Sequence, residues 1–161
     1  MDIDDRLAMY DLRDTQALID DIARRHPLIE GSTLLALVHQ PARSQRLLAV
    51  RELPTLPQGR AWDRDLSDLL YDVVHELEIP PRAESSASVL VTVIVRRGRN
   101  GWGRLERLWA LAWRYSNHNS EAFDRDIIVV TEHGWCSLWS EAGGVHPRLG
   151  QAGHGDAATC P

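Results

Sequence analysis

Apolar and polar positions follow one another in blocks of changing period, and the first block predicts a helix. Residues 4–25 carry leucines and isoleucines mostly at helical spacing, with Asp4 available as an N-cap. The pattern allows a break near Thr15. Because the residue before a proline disfavours the helical region, we expect Pro27 to end this helix.

The next two blocks predict a hairpin and a second helix. Two apolar runs, residues 33–39 and 46–53, are joined by a short polar segment, which is typical of antiparallel strands. Residues 63–78 carry apolar side chains at i, i+3, i+4, i+7, i+8 and i+11, a strong helical pattern. Asp63 can cap this helix, and Pro80 follows its end.

The remaining blocks alternate between strand and helix. The unbroken apolar run at 89–95 is β-branched on both faces, as expected of a central strand that is covered on both sides. Helical spacing returns over 104–116, and two further strands follow at 126–131 and 135–139. Strands that alternate with helices indicate an α/β fold.

One α/β domain with a tail accounts for the whole pattern. The order α-β-β-α-β-α-β-β predicts a three-layer-like sandwich with a mixed sheet over residues 1–142. Residues 143–161 are rich in glycine and alanine, and we expect this tail to be disordered. The length of 161 residues suits one core, and no apolar run approaches the roughly 18 residues of a membrane span.

Charge is unevenly distributed along this acidic chain, whose formal net charge is −5. Residues 2–21 hold seven aspartates against two arginines, whereas residues 96–107 hold five arginines against Glu106 alone. All 18 basic residues are arginines, which indicates codon bias in a GC-rich genome. Every cationic side chain therefore ends in a planar guanidinium group that is always charged. The two cysteines, Cys136 and Cys160, form no disulfide framework, and we expect a reducing cytoplasm.

The stretch RRGRNGWGR (residues 96–104) is the main candidate ligand site, because it joins the predicted central strand to a helix. Its glycine amides can form a concave nest, its arginines can clamp a phosphate or carboxylate, and its tryptophan can stack on a ring. A flexible charged turn is the alternative, since G-x-x-G-x-G matches neither a Walker loop nor a Rossmann fingerprint. The predicted ligand-binding residues are Arg96, Arg97, Gly98, Arg99, Asn100, Gly101, Trp102 and Arg104.

Tryptophans supply a second candidate surface. Trp109 and Trp113 lie four residues apart on one helix face and are predicted to be core. Trp135 and Trp139 share one face of the last predicted strand. If that face is open, it is a surface for a protein partner or a homodimer; if a helix covers it, both residues are core.

Several of these stretches resemble the JAB metal-dependent fold, in particular its RadC-like branch, over roughly residues 30–142. The cytidine deaminase fold has a similar layout. TLLALVHQPARSQRLLAV resembles the opening hairpin of the family, and LSDLLYDVVHEL resembles its long helix. VLVTVIV resembles the strand that leads into the metal site, and DIIVVTEHGWCSLWSEAG resembles the closing strands.

The metal-binding motif of that family is missing here. Active JAB proteins carry His-x-His-Pro after the central strand, then a serine and an aspartate, and these hold zinc with one open position. RRGRNGWGR has neither histidine nor proline, and arginine has no lone pair to offer a metal. The His-x-Glu and Cys-x-x-Cys ligands of the deaminases also have no counterpart. The resemblance therefore implies a degenerate member without metal or cofactor.

One other set of residues has side chains that can bind zinc, His118, Glu121, His133 and Cys136. The extended strand DIIVVT would separate the two histidines by roughly 20 Å, which disfavours a shared ion. The preferred hypothesis is a non-catalytic binding or scaffolding protein, with no catalytic residue assigned. The second is an enzyme, either a divergent metal-dependent hydrolase or one that acts on a phosphorylated small molecule. The third is a nucleic-acid accessory protein, which the resemblance to RadC implies.

Overall fold

The structure, a computed structural model, describes residues 8–54, 63–83, 86–116 and 120–150. The described helices are α1 (Thr15–Arg25), α2 (Asp63–His75) and α3 (Arg104–Tyr115). The described strands are β1 (Thr33–His39), β2 (Arg46–Leu53), β3 (Ser88–Val95), β4 (Ala122–Thr131), β5 (Gly134–Ser137) and β6 (Gly143–Gly144). In the part of the chain that the structure describes, no helix is both long and apolar enough to cross a membrane.

The strands form one mixed sheet in the order β2-β1-β3-β4-β5-β6. β3 and β4 are parallel and are connected through α3, whereas each of the other neighbouring pairs is antiparallel. The predicted fold class and element order are therefore confirmed. The hairpin has the bounds that the apolar runs predicted, 33–39 and 46–53.

Helices cover both faces of the sheet and produce a separate core on each. On one face, α1 packs Leu18, Ile19 and Ile22 against alternate side chains of β1, β3 and β4. On the other face, α2 and α3 pack their leucines and tryptophans against the intervening side chains. All eight positions of β3 are buried, which confirms a central strand covered on both sides.

The predicted helical span of 4–25 is interrupted, as the pattern allowed near Thr15, and α1 occupies its second part. It begins at Thr15, because Asp14 has an extended backbone and its carboxylate accepts a hydrogen bond from the Ala17 amide at 2.9 Å. Asp4 lies outside the described residues. Helix α2 ends at His75, three residues before the predicted end.

The first residues of the predicted tail pack against the sheet. Gly143 and Gly144 pair with β5, and the Leu149 amide donates a hydrogen bond to the Thr131 carbonyl at 2.9 Å. Of the predicted tail, residues 143–150 are thus part of the described fold. Residues 151–161, with Cys160, lie outside the described residues, so their predicted disorder stays a prediction.

Candidate binding site at the start of helix α3

Arg96 lies at the centre of the arginine-rich loop, residues 96–104, and its guanidinium points inward. Its Nε donates to Glu106 Oε1 at 2.5 Å. Its two terminal nitrogens donate to three backbone carbonyls of the same loop, those of Arg97, Arg99 and Gly101, at 3.0–3.1 Å. One side chain therefore holds three carbonyls of the loop together, and the positive φ angles of Gly98 and Gly101 permit the path that the loop follows.

Glu106 completes this arrangement from the first turn of α3. Its side chain is fully buried, and its Oε2 accepts a hydrogen bond from the Gly103 amide at 2.7 Å. A β-carbon at position 103 would lie 2.5 Å from that oxygen, so glycine is the residue that fits. The helix N-terminus, which attracts anions, is thus already bonded to a carboxylate of the protein itself.

Two further carboxylates bind the outer part of the loop. Arg97 forms an exposed ion pair with Glu30 at 2.9 Å. The Gly98 amide donates to the Glu132 carboxylate at 3.0 Å. Backbone amides, first that of Glu132 itself and then that of Gly98, hold the pKa of the Glu132 carboxyl below its usual value. Of the amides in the predicted nest, those of Gly98 and Gly103 therefore bind internal anions.

The outward side of the loop has a different character. Trp102 and Trp139 meet edge to face with ring centroids 5.3 Å apart, and they are 42% and 56% exposed. Arg99 and Arg104 are also exposed and line a shallow cavity of about 450 Å³ next to Trp102. Asn100 instead ties the loop to the end of β4, since its Oδ1 accepts from the Thr131 hydroxyl at 2.6 Å.

An open groove of about 550 Å³ continues from the tryptophan pair along α3. Arg107, Ala110, Leu111 and Arg114 line it from the helix, and Asp124 of β4 lines the other side. Among the described residues, Arg99, Arg104, Arg107 and Arg114 form no ion pair. The groove therefore combines apolar walls with a positive rim.

Sequence reasoning missed Arg107, Leu111 and Arg114, although the signal was present. With Arg104 they occupy i, i+3, i+7 and i+10 of the predicted helix, opposite the core positions Trp109 and Trp113. Glu106 also had a recognisable role, because an acidic residue at the third helical position can accept a hydrogen bond from the N-cap amide, which is one half of a capping box.

Trp135 does not belong to the exposed surface, which corrects the predicted pairing with Trp139. It is 2% exposed and lies in the core beneath α1, where its indole nitrogen donates to the His146 carbonyl at 2.9 Å. β5 ends at Ser137, so Trp139 leaves the strand and reaches the α3 side. The predicted core positions Trp109 and Trp113 are confirmed as buried.

A buried polar network lies where β5 ends. Ser137 donates to Asp126 Oδ2 at 2.6 Å, and Ser140 donates to Ser137 at 2.7 Å. Asp126 Oδ1 has no hydrogen-bond partner among the described residues. Burial raises the pKa of the Asp126 carboxyl, and the Ser137 hydrogen bond opposes that rise only in part.

Among the described residues, the remaining candidates for metal or nucleophilic chemistry form no cluster. His118 lies outside the described residues, and Glu121 accepts a hydrogen bond from the Arg82 amide at 3.2 Å. Burial raises the pKa of the Cys136 thiol, which reduces its reactivity. No three His, Cys, Asp or Glu side chains form a possible metal site within the described ranges.

Comparison with known proteins adds no relative. No protein-family model, curated protein or solved structure matches this chain. Function must therefore be inferred from the site itself.

Proposed function

We propose that this chain is a non-catalytic binding protein that recognises a protein partner through the outer side of α3. The surface, called here the tryptophan–arginine surface, consists of Trp102, Arg104, Arg107, Leu111, Arg114 and Trp139. One observation carries the proposal: an exposed tryptophan pair opens onto an apolar groove whose arginines form no ion pair with a described residue.

The composition of this surface favours binding. Tryptophan and arginine are the residues most enriched among those that dominate interface energies, and leucine adds apolar area. Exposing two indoles to water is unfavourable unless a partner covers them. The interior ion pair of Arg96 with Glu106 supports the rigid placement of Trp102, because it fixes the loop on which Trp102 lies.

Charge indicates the kind of partner. Arg104, Arg107 and Arg114 form a positive stripe on a chain whose formal net charge is −5. A partner with a few carboxylates would be attracted locally, whereas a long polyanion would also meet the acidic remainder of the chain. These features favour a protein over a nucleic acid.

A peptide-display experiment tests the proposal on the full chain. Peptides selected from a random library on the wild-type protein are expected to lose about tenfold or more in affinity for Trp139→Ala and for Arg107→Ala. Arg46→Ala, an exposed arginine on β2, is the matched control and should bind like wild type. Thermal melting verifies that each variant is folded.

Other outcomes of these experiments would contradict the proposed protein partner or identify a different one. If no peptide is selected, or if the selected peptides bind all variants alike, the tryptophan–arginine surface is not the binding site. Salt-dependent binding of a dT20 oligonucleotide that Arg107→Ala weakens would favour the nucleic-acid alternative instead. A concentration-dependent mass that Trp139→Ala abolishes would identify a second copy as the partner.

We also propose that the fold descends from a metal-dependent JAB-like fold and that the protein acts in a reducing cytoplasm. The order of elements supports the first point, and the free thiol of Cys136 supports the second. Stoichiometric zinc in the purified protein would contradict a metal-free descendant.

A further inference from the structure

We infer that the partner segment is a short amphipathic helix that lies along α3, with acidic side chains facing Arg107 and Arg114 and one large apolar side chain beside Trp102 and Trp139. The inference rests on the proposed function, because it specifies what occupies the tryptophan–arginine surface.

The course of the groove favours a helix. Its lining residues on α3 are Arg107, Ala110, Leu111 and Arg114, which stand at i, i+3, i+4 and i+7. These positions form one face of two helical turns, about 10 Å long at 1.5 Å per residue. A channel that follows such a face suits a second helix, whose side-chain ridges fit between those of the first.

The positions of the arginines specify the charges of the partner. Arg107 and Arg114 lie seven residues apart, so carboxylates two turns apart on a neighbouring helix can meet both guanidinium groups. Arg104 extends the stripe by one turn toward the helix N-terminus. An acidic face with Asp or Glu at i and i+7 is therefore complementary to this stripe.

The apolar end of the groove specifies the anchor. Trp102 and Trp139 border the groove near the start of α3, and Ala110 and Leu111 provide apolar contacts along it. The volume of about 550 Å³ is large enough for a leucine, phenylalanine or tryptophan side chain from the partner. Burying such a side chain would cover the exposed indoles.

An added β-strand fits this surface poorly. Strand addition needs unpaired backbone N–H and C=O groups along a sheet edge. Here side chains of α3 form the groove, and the helix satisfies its own interior backbone groups. The edge strands β2 and β6 are at the ends of the sheet order and do not contribute to the groove lining.

The selected peptides themselves provide the test. Peptides that bind the wild-type protein and require Trp139 should carry Asp or Glu at i and i+7 together with one large apolar residue. Circular dichroism should show that these peptides become helical on binding. A central proline should weaken them about tenfold or more, because it interrupts a helix. The double variant Arg107→Glu/Arg114→Glu should no longer bind these peptides. It should bind peptides in which lysines replace both acidic residues.

The inference and the proposed function fail in different ways. Peptides that require Trp139 but show no acidic preference, or that tolerate the central proline, would overturn the helical partner and leave the binding surface intact. Peptides that show no dependence on Trp139 or Arg107 would overturn both. Lack of rescue by the charge-reversed pairs would overturn the assigned contact between the carboxylates and the two arginines.

Discussion

Arginines of the arginine-rich loop and arginines of the outer side of α3 differ in what they contact. Arg96 faces inward, pairs with the buried Glu106 and donates to three carbonyls of its own loop. Arg107 and Arg114 face outward on α3 and form no ion pair among the described residues. A cluster of arginines in a sequence is therefore not one site: each guanidinium must be followed to the groups that it contacts.

This difference teaches where an external ligand can bind. An anion that bound the amides of the loop would have to displace a carboxylate of the protein. The Gly103 amide already donates to Glu106, and the Gly98 amide already donates to Glu132. Displacing Glu106 would leave one oxygen of a fully buried carboxylate without its hydrogen-bond donor, which is unfavourable. The outward arginines need no such rearrangement, so binding there is less costly.

The largest expected effect comes from breaking the inward pair. Arg96→Ala should lower the free energy of unfolding by about 3–5 kcal/mol, because it leaves the fully buried Glu106 carboxylate without its cation. Urea denaturation measures the change. Arg104→Ala, the exposed control, should stay within about 0.5 kcal/mol of wild type.

A double-mutant cycle sharpens the same prediction. In a Glu106→Gln background, Arg96→Ala should cost less than in wild type, since no buried charge is left behind. Equal costs in the two backgrounds would show that Arg96 acts through its loop carbonyls rather than through the ion pair.

A smaller effect separates the inward and outward tryptophans. Trp135→Phe should cost about 1–3 kcal/mol, because the indole hydrogen bond to the His146 carbonyl is lost from a residue that is 2% exposed. Trp139→Phe should change the free energy of unfolding by about 0.5 kcal/mol or less. Similar losses in the two variants, measured by thermal or urea unfolding, would mean that Trp139 is also structural.

The smallest expected effect is on how the free energy of unfolding depends on pH. It distinguishes two buried carboxylates, Glu106, which lies beside a cation, and Asp126, which lies beside a hydroxyl. Burial raises the pKa of Asp126 in the folded state above its value in the unfolded chain. The folded state then binds the proton more tightly, so this group makes stability fall as pH rises from about 4 through the folded pKa.

Asp126→Asn removes that titration and keeps an acceptor for Ser137. The variant should be more stable than wild type at pH 8, and the difference should shrink as pH is lowered toward 4. Unfolding measured across this range checks the trend, with Glu106→Gln as a contrast that is less stable than wild type at neutral pH. A stability difference that does not change with pH would show that Asp126 does not titrate in this range.

The hairpin, the central strand and helix α3 were predictable, because the period of apolar residues follows directly from which faces a strand or helix buries. The break before α1 was also allowed by the pattern near Thr15, whereas its position is fixed by Asp14, whose carboxylate caps the Ala17 amide. The pairing of Gly143 and Gly144 with β5 carried no periodic signal, because two glycines offer no side chains to bury.

The sequence by itself determined the α/β order and the position of a charged loop before α3, since these depend on residues close together in the chain. The mixed sheet followed from that order, because a hairpin joins antiparallel strands and a helical crossover joins parallel ones. Tertiary structure alone decided that Trp135 is core and Trp139 is exposed, and that Glu30 and Glu132 meet the loop. Those contacts join residues more than 30 positions apart, as the pairs Glu30–Arg97 and Gly98–Glu132 show. No local pattern records which distant carboxylate will reach a given amide or guanidinium, because only the packing of the sheet and helices brings them together.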